Sequence, residues 1–299
     1  MNEEKNLIVL VGPTAVGKTT VAIQLAEYFR TEIISADSRQ IFKELEIGTA
    51  KPTQEELSRI KHHFINSHSI AQAYDAGSYE RDALALISEL FKKYDTLILC
   101  GGSGLYIKAV LEGFDEMPEI PAGTREKIMH EYEQKGLAWL QEQVKEVDPN
   151  YFNEVDNKNP HRLVRALELH AAHGKPLNEL RKKRKASRPF ETIKIGLQVE
   201  REELYKRIDS RMDDMIAAGL FEETEKFFPQ QHLNALQTVG YREIFGYLNK
   251  QYDREEAIRL LKRNSRRYAK RQLTWFKRDQ EIKWFNPNQV NEMIALLDS

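Results

Sequence analysis

The residues with the clearest chemical potential lie near the N-terminus. Residues 12–19 read Gly-Pro-Thr-Ala-Val-Gly-Lys-Thr and fit the pattern G-x-x-x-x-G-K-[ST]. In such a loop the glycines let backbone N–H groups surround phosphate oxygens, Lys18 adds a full positive charge, and the Thr19 hydroxyl can bind Mg²⁺. The apolar run before the loop and the helical spacing after it supply the strand and helix that the motif requires. We therefore predict a phosphate-binding loop made of Gly12, Pro13, Thr14, Ala15, Val16, Gly17, Lys18 and Thr19.

A second polar group, Asp37-Ser38-Arg39-Gln40, follows the next predicted strand. Because ligands of open α/β sheets bind at the carboxyl ends of the strands, we expect Asp37 beside the phosphate-binding loop. There its carboxylate could support Mg²⁺, act as a general base, or only cap the following helix. The residues alone leave these three roles open.

A glycine-rich turn, Gly101-Gly102-Ser103-Gly104-Leu105-Tyr106, follows the third predicted strand. It is expected at the same edge of the sheet, where glycines let backbone amides approach a ligand closely. P-loop hydrolases usually end a strand of this kind with an acidic residue that holds Mg²⁺, and residues 97–100 contain none. The sequence therefore disfavours ATP hydrolysis.

The elements that must position these residues alternate between strand and helix. Such alternation predicts an α/β fold, a P-loop NTPase-like parallel sheet flanked by helices. Residues 115–189 have helical periodicity without a convincing strand and are predicted to be an inserted all-helical domain within a core formed by residues 1–114 and 190–299. The predicted strands are residues 7–11, 32–36, 96–100 and 192–199, and the predicted core helices include residues 18–30 and 79–93, with a mostly helical chain after residue 202.

The charge is strongly divided along the chain, although the formal net charge is only -1. Residues 1–150 contain 16 basic and 24 acidic residues, whereas the remainder contains 29 basic and 22 acidic ones. Residues 181–188 include six cations, and residues 254–278 include ten cations and two anions. On a helix, Leu261, Tyr268 and Trp275 would form a buried stripe and leave the cations facing outward. This pattern favours a polyanionic partner, such as the backbone of a nucleic acid.

Composition narrows the class of protein further. With 41% hydrophobic residues the chain can bury a sizeable core, and its single cysteine, Cys100, cannot form an intramolecular disulfide. The acidic N-terminus does not resemble a signal peptide, and no apolar run approaches the roughly 18 residues that a membrane span needs. We therefore expect a soluble cytoplasmic protein that does not contact a membrane and, lacking a heptad pattern or exposed apolar stripe, is a monomer.

Taken together, these segments resemble the bacterial tRNA dimethylallyltransferase family from one end of the chain to the other. Besides the motifs above, the resemblance includes segments that few other P-loop proteins share. These are Gly48-Thr49-Ala50-Lys51-Pro52, His161-Arg162-Leu163-Val164-Arg165-Ala166-Leu167-Glu168, Val239-Gly240-Tyr241-Arg242-Glu243, and Tyr268-Ala269-Lys270-Arg271-Gln272 leading to Trp275. Ser103 stands where a threonine is usual, a mild change because both carry a hydroxyl group. The zinc-finger extension of eukaryotic relatives is not found, which indicates a bacterial form.

The resemblance implies that the phosphate-binding loop holds the diphosphate of dimethylallyl diphosphate, whose prenyl group passes to the adenine immediately 3′ of the anticodon. The exocyclic amine of adenine is a poor nucleophile, so catalysis needs a base on one side and cations at the leaving diphosphate. By resemblance Asp37 is the base, Lys18, Arg125 and Thr19 with Mg²⁺ stabilise the diphosphate, and Thr14 lines the donor pocket. The adenine would have to be turned out of the anticodon loop to reach them.

The resemblance also implies which residues contact the tRNA, and it implies that the helical insertion contacts the anticodon stem-loop. The implied contacts are Asp37, Ser38, Arg39, Gln40, Ser103, Arg125, His161, Arg162, Leu163, Val164, Arg165, Gln237, Thr238, Val239, Gly240, Tyr241 and Arg242.

Three other functions remain compatible with parts of the sequence. A small-molecule kinase would also use a P-loop with Mg²⁺, with Arg207 and Arg211 as a lid. An isopentenyltransferase that acts on free adenine nucleotides and a non-enzymatic RNA-binding protein are the other two, and the intact Lys18 and Thr19 argue against the last. The pair His62-His63 has no metal-ligand spacing, so we expect a surface or packing role for it.

Overall fold

Short runs of β-branched and apolar residues form one parallel sheet in the computed structural model, which describes residues 5–115, 119–180 and 186–298. Met117 and Pro118 near the start of the predicted insertion, and the basic residues 181–185 near its end, lie outside this part of the chain. Strand order is β3-β2-β4-β1-β5-β6, and every paired strand is parallel to its neighbour. The strands are β1 (Asn6–Val11), β2 (Ile33–Ser35), β3 (His62–His63), β4 (Thr96–Gly101), β5 (Glu191–Leu197) and β6 (Lys283–Phe285).

Helices follow the strands and cover the sheet. No helix in the described part of the chain is long and apolar enough to cross a bilayer. In chain order the helices are α1 (Lys18–Tyr28), α2 (Gln54–Arg59), α3 (Ala76–Leu90), α4 (Gly104–Glu112), α5 (Thr124–Val147), α6 (Pro149–Glu154), α7 (Pro160–His173), α8 (Leu177–Leu180), α9 (Arg201–Ala217), α10 (Leu220–Lys226), α11 (Tyr241–Leu248), α12 (Arg254–Phe276) and α13 (Val290–Leu297).

The central strands are buried on both faces, as expected for a parallel sheet. Leu7 and Val9 of β1 point to one side, where they join a core with residues of α3 and α4. Ile8 and Leu10 point to the other side, into a core with residues of α1, α9, α12 and α13. Val11 at the end of β1 pairs with Gly101 at the end of β4. The loops that follow these two strands therefore begin side by side at the same edge of the sheet.

The chain divides into two compact units, residues 1–111 with 187–299 and residues 112–186. The second unit contains α5 to α8 and has a core of its own around Leu140, Val144, Leu163 and Leu169. Within it the buried carboxylate of Glu168 accepts a hydrogen bond from Arg125 at 2.7 Å.

The predicted α/β fold is confirmed. In the stripe predicted for α12, Leu261 is buried as expected, but the prediction was wrong for Trp275. The buried residues of α12 are Ala257, Leu261, Ser265, Ala269, Gln272 and Phe276. Trp275 is 37% exposed. The buried face combines the small side chains of Ala257, Ser265 and Ala269 with the larger ones of Leu261, Gln272 and Phe276. The strands β3 and β6 were not predicted, because two or three residues carry too little periodicity to be recognised.

A buried carboxylate fixes the long loop that follows β2. The side chain of Glu223 on α10 accepts hydrogen bonds from the backbone N–H groups of Glu46, Ile47 and Gly48 at 3.1, 2.7 and 2.9 Å. It also accepts one from the Tyr241 hydroxyl at 2.5 Å. Glu223 is only 8% exposed, and the Tyr241 hydroxyl that it holds is buried with it, so the carboxylate is a largely desolvated acceptor for all four donors.

Replacing Glu223 with alanine should therefore lower the free energy of unfolding by about 3 kcal/mol, because buried donors lose their acceptor. Glu225→Ala, on the exposed face of the same helix, is the matched control and should change it by less than about 0.5 kcal/mol. Urea denaturation followed by circular dichroism measures both. Equal midpoints for the two variants would contradict the structural role of Glu223.

Candidate active site

The predicted phosphate-binding loop connects β1 to α1 and has the backbone that its glycines allow. Gly17 adopts a φ of 104° directly before the first residue of α1, a conformation that side-chain-bearing residues rarely adopt. At Gly12 a side chain would begin 2.9 Å from the carbonyl oxygen of Leu197. The loop therefore leaves the N-terminus of α1 open, where backbone N–H groups and the helix dipole favour an anion.

Lys18 is the cation of this loop, and its charge is costly in the absence of an anion. Its ammonium group donates a hydrogen bond to the carbonyl oxygen of Pro13 at 2.8 Å. Burial lowers the pKa of Lys18 to about 8, against the opposing influence of Cys100 and Asp37, while the charge of Arg211 lowers it further. An anion placed here would remove this penalty.

A cavity of about 770 Å³ opens beside the loop. It combines cationic side chains with an apolar group formed by Ile208, Met212, Met215, Leu220 and Val239. The predicted site residues that line it are Thr14, Ala15, Gly17, Lys18, Thr19, Asp37, Arg39, Gln40, Thr238, Val239 and Gly240. Among the other predicted loop residues, Val16 is fully buried in the core.

Asp37 uses one carboxylate oxygen to hold its own loop. Its Oδ1 accepts hydrogen bonds from the backbone N–H groups of Arg39 at 2.8 Å and Gln40 at 3.2 Å. Within the described residues its Oδ2 accepts no hydrogen bond, and the side chain lines the cavity. Asp37 caps a turn, not a helix, and keeps an oxygen available for a ligand.

The turn formed by residues 37–40 is tied to three other segments. Ser103 accepts a hydrogen bond from the N–H of Ser38 at 2.9 Å, which joins the loop to the glycine-rich turn. Arg39 donates to the carbonyl oxygen of Asn234 at 2.9 Å, and Gln40 donates to that of Ala50 at 3.0 Å. These bonds hold the predicted RNA-contacting residues at the rim of one cavity.

Gln272 links α12 to both glycine-containing loops. Its side-chain oxygen accepts a hydrogen bond from the N–H of Thr14 at 2.8 Å, and its amide nitrogen donates to the carbonyl oxygen of Gly102 at 3.0 Å. The close fit requires glycine, because a side chain at position 102 would begin 2.3 Å from that nitrogen. Sequence analysis named Gln272 only as the end of a segment shared with the family and assigned it no role, because its contact to Thr14 spans 258 residues.

Two arginines of α9, considered above only for a kinase, also line the cavity. Arg211 lies 3.5 Å from the hydroxyl of Thr14 and donates to the carbonyl oxygen of Ala50 at 3.0 Å. Arg207 donates to the carbonyl oxygen of Val16 at 3.3 Å. Burial lowers the pKa of Arg211, although the charge of Asp37 opposes this change. The spacing of four residues places both guanidinium groups on the same helix face.

Two further side chains of the cavity wall, Tyr268 and His62, were not predicted to belong to the site. Tyr268, predicted to be core, lines the cavity, where burial and then the charge of Asp37 raise its pKa to about 12. His62, expected to pack or lie on the surface, also lines it. Its Nδ1 bonds to the carbonyl oxygen of Ile60 at 2.8 Å and therefore carries a proton, and burial lowers the pKa of the ring.

The remaining predicted residues are distributed over both units. Arg125 and residues 161–165 belong to the second unit, where His161 and Arg162 are exposed at the start of α7. Leu163 and Val164 are buried in that unit's core. Tyr241 is buried in the first unit, beneath the loop that carries Gly48.

Comparison with known proteins assigns the chain to a family. Residues 40–279 match the IPP transferase family. The chain is 52% identical to the tRNA dimethylallyltransferase of Cytophaga hutchinsonii, over 99% of this chain and 97% of that protein. It is 50% identical to the tRNA dimethylallyltransferase of Christiangramia forsetii, over 96% and 95% of the two chains.

A solved structure agrees with this assignment. The tRNA isopentenylpyrophosphate transferase from Bacillus halodurans is 33% identical, and the similarity covers 99% of this chain and 96% of that one with a TM-score of 0.73. The chain therefore belongs to the IPP transferase family.

Proposed function

We propose that this protein transfers a dimethylallyl group from dimethylallyl diphosphate to the exocyclic N6 of the adenine immediately 3′ of the anticodon in tRNA and releases diphosphate. The observation that carries the proposal is one cavity in which buried cations and an available carboxylate oxygen are combined. The similarity to tRNA dimethylallyltransferases over nearly the full chain supports it. We further propose that the protein works as a monomer in the cytoplasm.

The diphosphate of the donor would lie at the N-terminus of α1. There it would receive hydrogen bonds from backbone N–H groups and charge from Lys18 and Arg211, both of which have a pKa lowered by burial. The apolar side chains in the same cavity suit the hydrocarbon part of the donor. Preorganised cations stabilise the charge that develops on the leaving group more strongly in such a site than in water.

The residues present fit a magnesium ion that the substrate carries. Within the described residues, no group of three or more His, Cys, Asp or Glu side chains could hold a metal ion. Mg²⁺ commonly binds to substrate phosphates, retains several waters and takes only one or two protein oxygens. The hydroxyl of Thr19 lines the cavity and would supply such an oxygen. Bound there, Mg²⁺ would neutralise negative charge on the diphosphate.

In the transfer itself, N6 of adenine forms a bond to C1 of the dimethylallyl group while the C1–O bond breaks. The electron pair of that bond leaves with the diphosphate, and the proton of N6 passes to the Asp37 carboxylate. Because the hydrogen bonds of Asp37 to its own loop use Oδ1, Oδ2 is the oxygen we assign to this proton. Arg125 stays a predicted contact, since it lies in the second unit and pairs there with Glu168.

The adenine must leave the stack of the anticodon loop to reach this cavity, as nucleobase-modifying enzymes require. Arg39, Gln40 and residues 238–240 line the cavity and would contact the extruded nucleotide. The exposed cations of α12 would bind the phosphate backbone.

The proposed activity is tested by incubating the protein with radiolabelled dimethylallyl diphosphate and unmodified tRNA, AMP or ATP. Label should appear only in the tRNA, and a tRNA with guanine in place of the target adenine should gain none, since guanine has no N6 amine. Label in AMP or ATP would indicate an enzyme of free nucleotides. No label in any acceptor would overturn the proposal.

Asp37→Asn should reduce turnover by about 10²- to 10⁴-fold, the usual contribution of a general base, while the affinity for tRNA stays unchanged. The asparagine oxygen can still accept the two backbone hydrogen bonds of the loop, so the variant removes only the base. Asp253→Asn, which alters a carboxylate that only caps α12, is the control and should retain full turnover. Near-normal turnover of Asp37→Asn would rule out the assignment.

Arg211→Ala should raise KM for dimethylallyl diphosphate by roughly tenfold or more, because a charge-assisted contact to the diphosphate is lost. KM for tRNA should change little. Arg201→Ala, an exposed position on the same helix, provides the control. Steady-state kinetics with each substrate varied in turn gives the two KM values separately. An increase in KM for tRNA alone would contradict a contact between Arg211 and the diphosphate.

A further inference from the structure

Among the described residues, the structure exposes a small group of large apolar side chains. Leu105 is 50% exposed and Trp275 is 37% exposed. These two belong to one surface, because the Trp275 indole lies directly against Gly104: a side chain at that glycine would begin 2.2 Å from the indole nitrogen. The other exposed side chains are Tyr28 and Phe114.

The position of Trp275 on α12 connects this surface to the cavity. Tyr268, Gln272 and Trp275 are spaced by four and three residues and therefore share one face of the helix. Tyr268 and Gln272 line the cavity, and Trp275 lies about 10 Å further along the helix axis than Tyr268. The same face thus changes from cavity wall to exposed aromatic surface.

Positive charge runs along one edge of this face. Arg267, Arg271 and Arg278 are exposed, and within the described chain none of them pairs with a carboxylate. Arg271 instead lies over the ring of Tyr268, with 5.7 Å between the guanidinium carbon and the ring centroid.

Three other cations of α12 are paired with carboxylates. Arg259 pairs with Glu256, Lys262 with Asp213 and Arg266 with Asp209. Within the described residues Arg263, Lys270 and Lys277 also form no ion pair, so unpaired positive charge extends around the outer side of this segment up to the aromatic surface. Such charge favours a polyanion whose unpaired bases can stack.

We propose that Trp275 and Leu105 form a stacking platform for an unpaired base of the anticodon loop, a neighbour of the adenine that enters the cavity. This inference rests on the proposed function. Turning the target adenine out of the loop removes the stacking partner of the adjacent base, and an aromatic side chain restores that contact. Ser103, two residues before Leu105, bonds to Ser38 of the Asp37 loop, so the platform adjoins the predicted RNA contacts.

The first measurement uses Trp275 as its own reporter. The protein contains three tryptophans, and Trp139→Phe with Trp284→Phe leaves only Trp275. Titration with an unmodified anticodon stem-loop RNA should quench its fluorescence, because a stacked base changes the environment of the indole. Fluorescence that stays constant while binding is seen by another method would overturn the proposal.

The second measurement is a double-mutant cycle between protein and RNA. Trp275→Ala should weaken binding of the stem-loop about tenfold or more. Trp275→Phe should restore most of the affinity. Tyr28→Ala, an exposed aromatic at the far end of α1, should have no effect. An abasic substitution at one of the two positions flanking the target adenine should weaken binding to the wild type but hardly to Trp275→Ala.

Additive effects at both flanking positions, or wild-type affinity of Trp275→Ala, would exclude the platform. Leu105→Asp, at a half-exposed position, provides a second variant that should weaken binding without loss of folding, as checked by urea denaturation. The outcome is separable from that of the proposed function: if wild type labels tRNA and Trp275→Ala binds as tightly, only the platform fails, whereas absence of labelling by wild type refutes the activity itself.

Discussion

The constraint on which the rest of the site depends is the burial of positive charge without an equal amount of negative charge. Lys18 and Arg211 both lose solvent at the cavity, and burial lowers the pKa of each. The negative charge of Asp37 partly offsets the lowering of both pKa values. An ordinary core would remove such charges or pair them fully, because unpaired buried charges are expensive. Retaining them is reasonable in a protein that binds a polyanionic ligand at this point and uses the stored electrostatic energy to hold it.

That constraint explains why so many hydrogen bonds at this edge of the sheet are made by backbone and by uncharged side chains. Gln272 and Ser103 join the loops after β1, β2 and β4 without adding charge. Two buried carboxylates nearby are occupied by uncharged donors: Glu223 accepts from backbone N–H groups and a hydroxyl group, and Glu243 accepts from the N–H of Gly240 and the side-chain amide of Asn264. The loops are therefore positioned without neutralising the cations, which stay available to the ligand.

How much of this could be predicted from the sequence follows from how local each signal is. The P-loop and the central strands β1 and β4 depend on consecutive residues, and the sequence predicted them. The role of Gln272 depends on a contact across 258 residues, and no local pattern indicates it. The interior face of α12 was predicted only in part, because the spacing of large apolar residues identified Leu261 but placed the exposed Trp275 inside and missed Ala257 and Ala269. His62 reaches the cavity through a strand of only two residues, too short to recognise from periodicity.

α12 unites the two halves of the proposed reaction in a single rigid element. Its buried face bonds to the N–H of Thr14 in the phosphate-binding loop through Gln272, and its exposed edge carries the unpaired arginines beside Trp275. The helix runs without interruption over 23 residues, so the position of one end along its axis fixes that of the other at about 1.5 Å per residue. RNA bound on the outer surface and diphosphate bound at the loop would therefore be aligned by the same element. In a transfer reaction this matters more than the affinity for either substrate alone, since the rate depends on holding the amine, the allylic carbon and the leaving group in line.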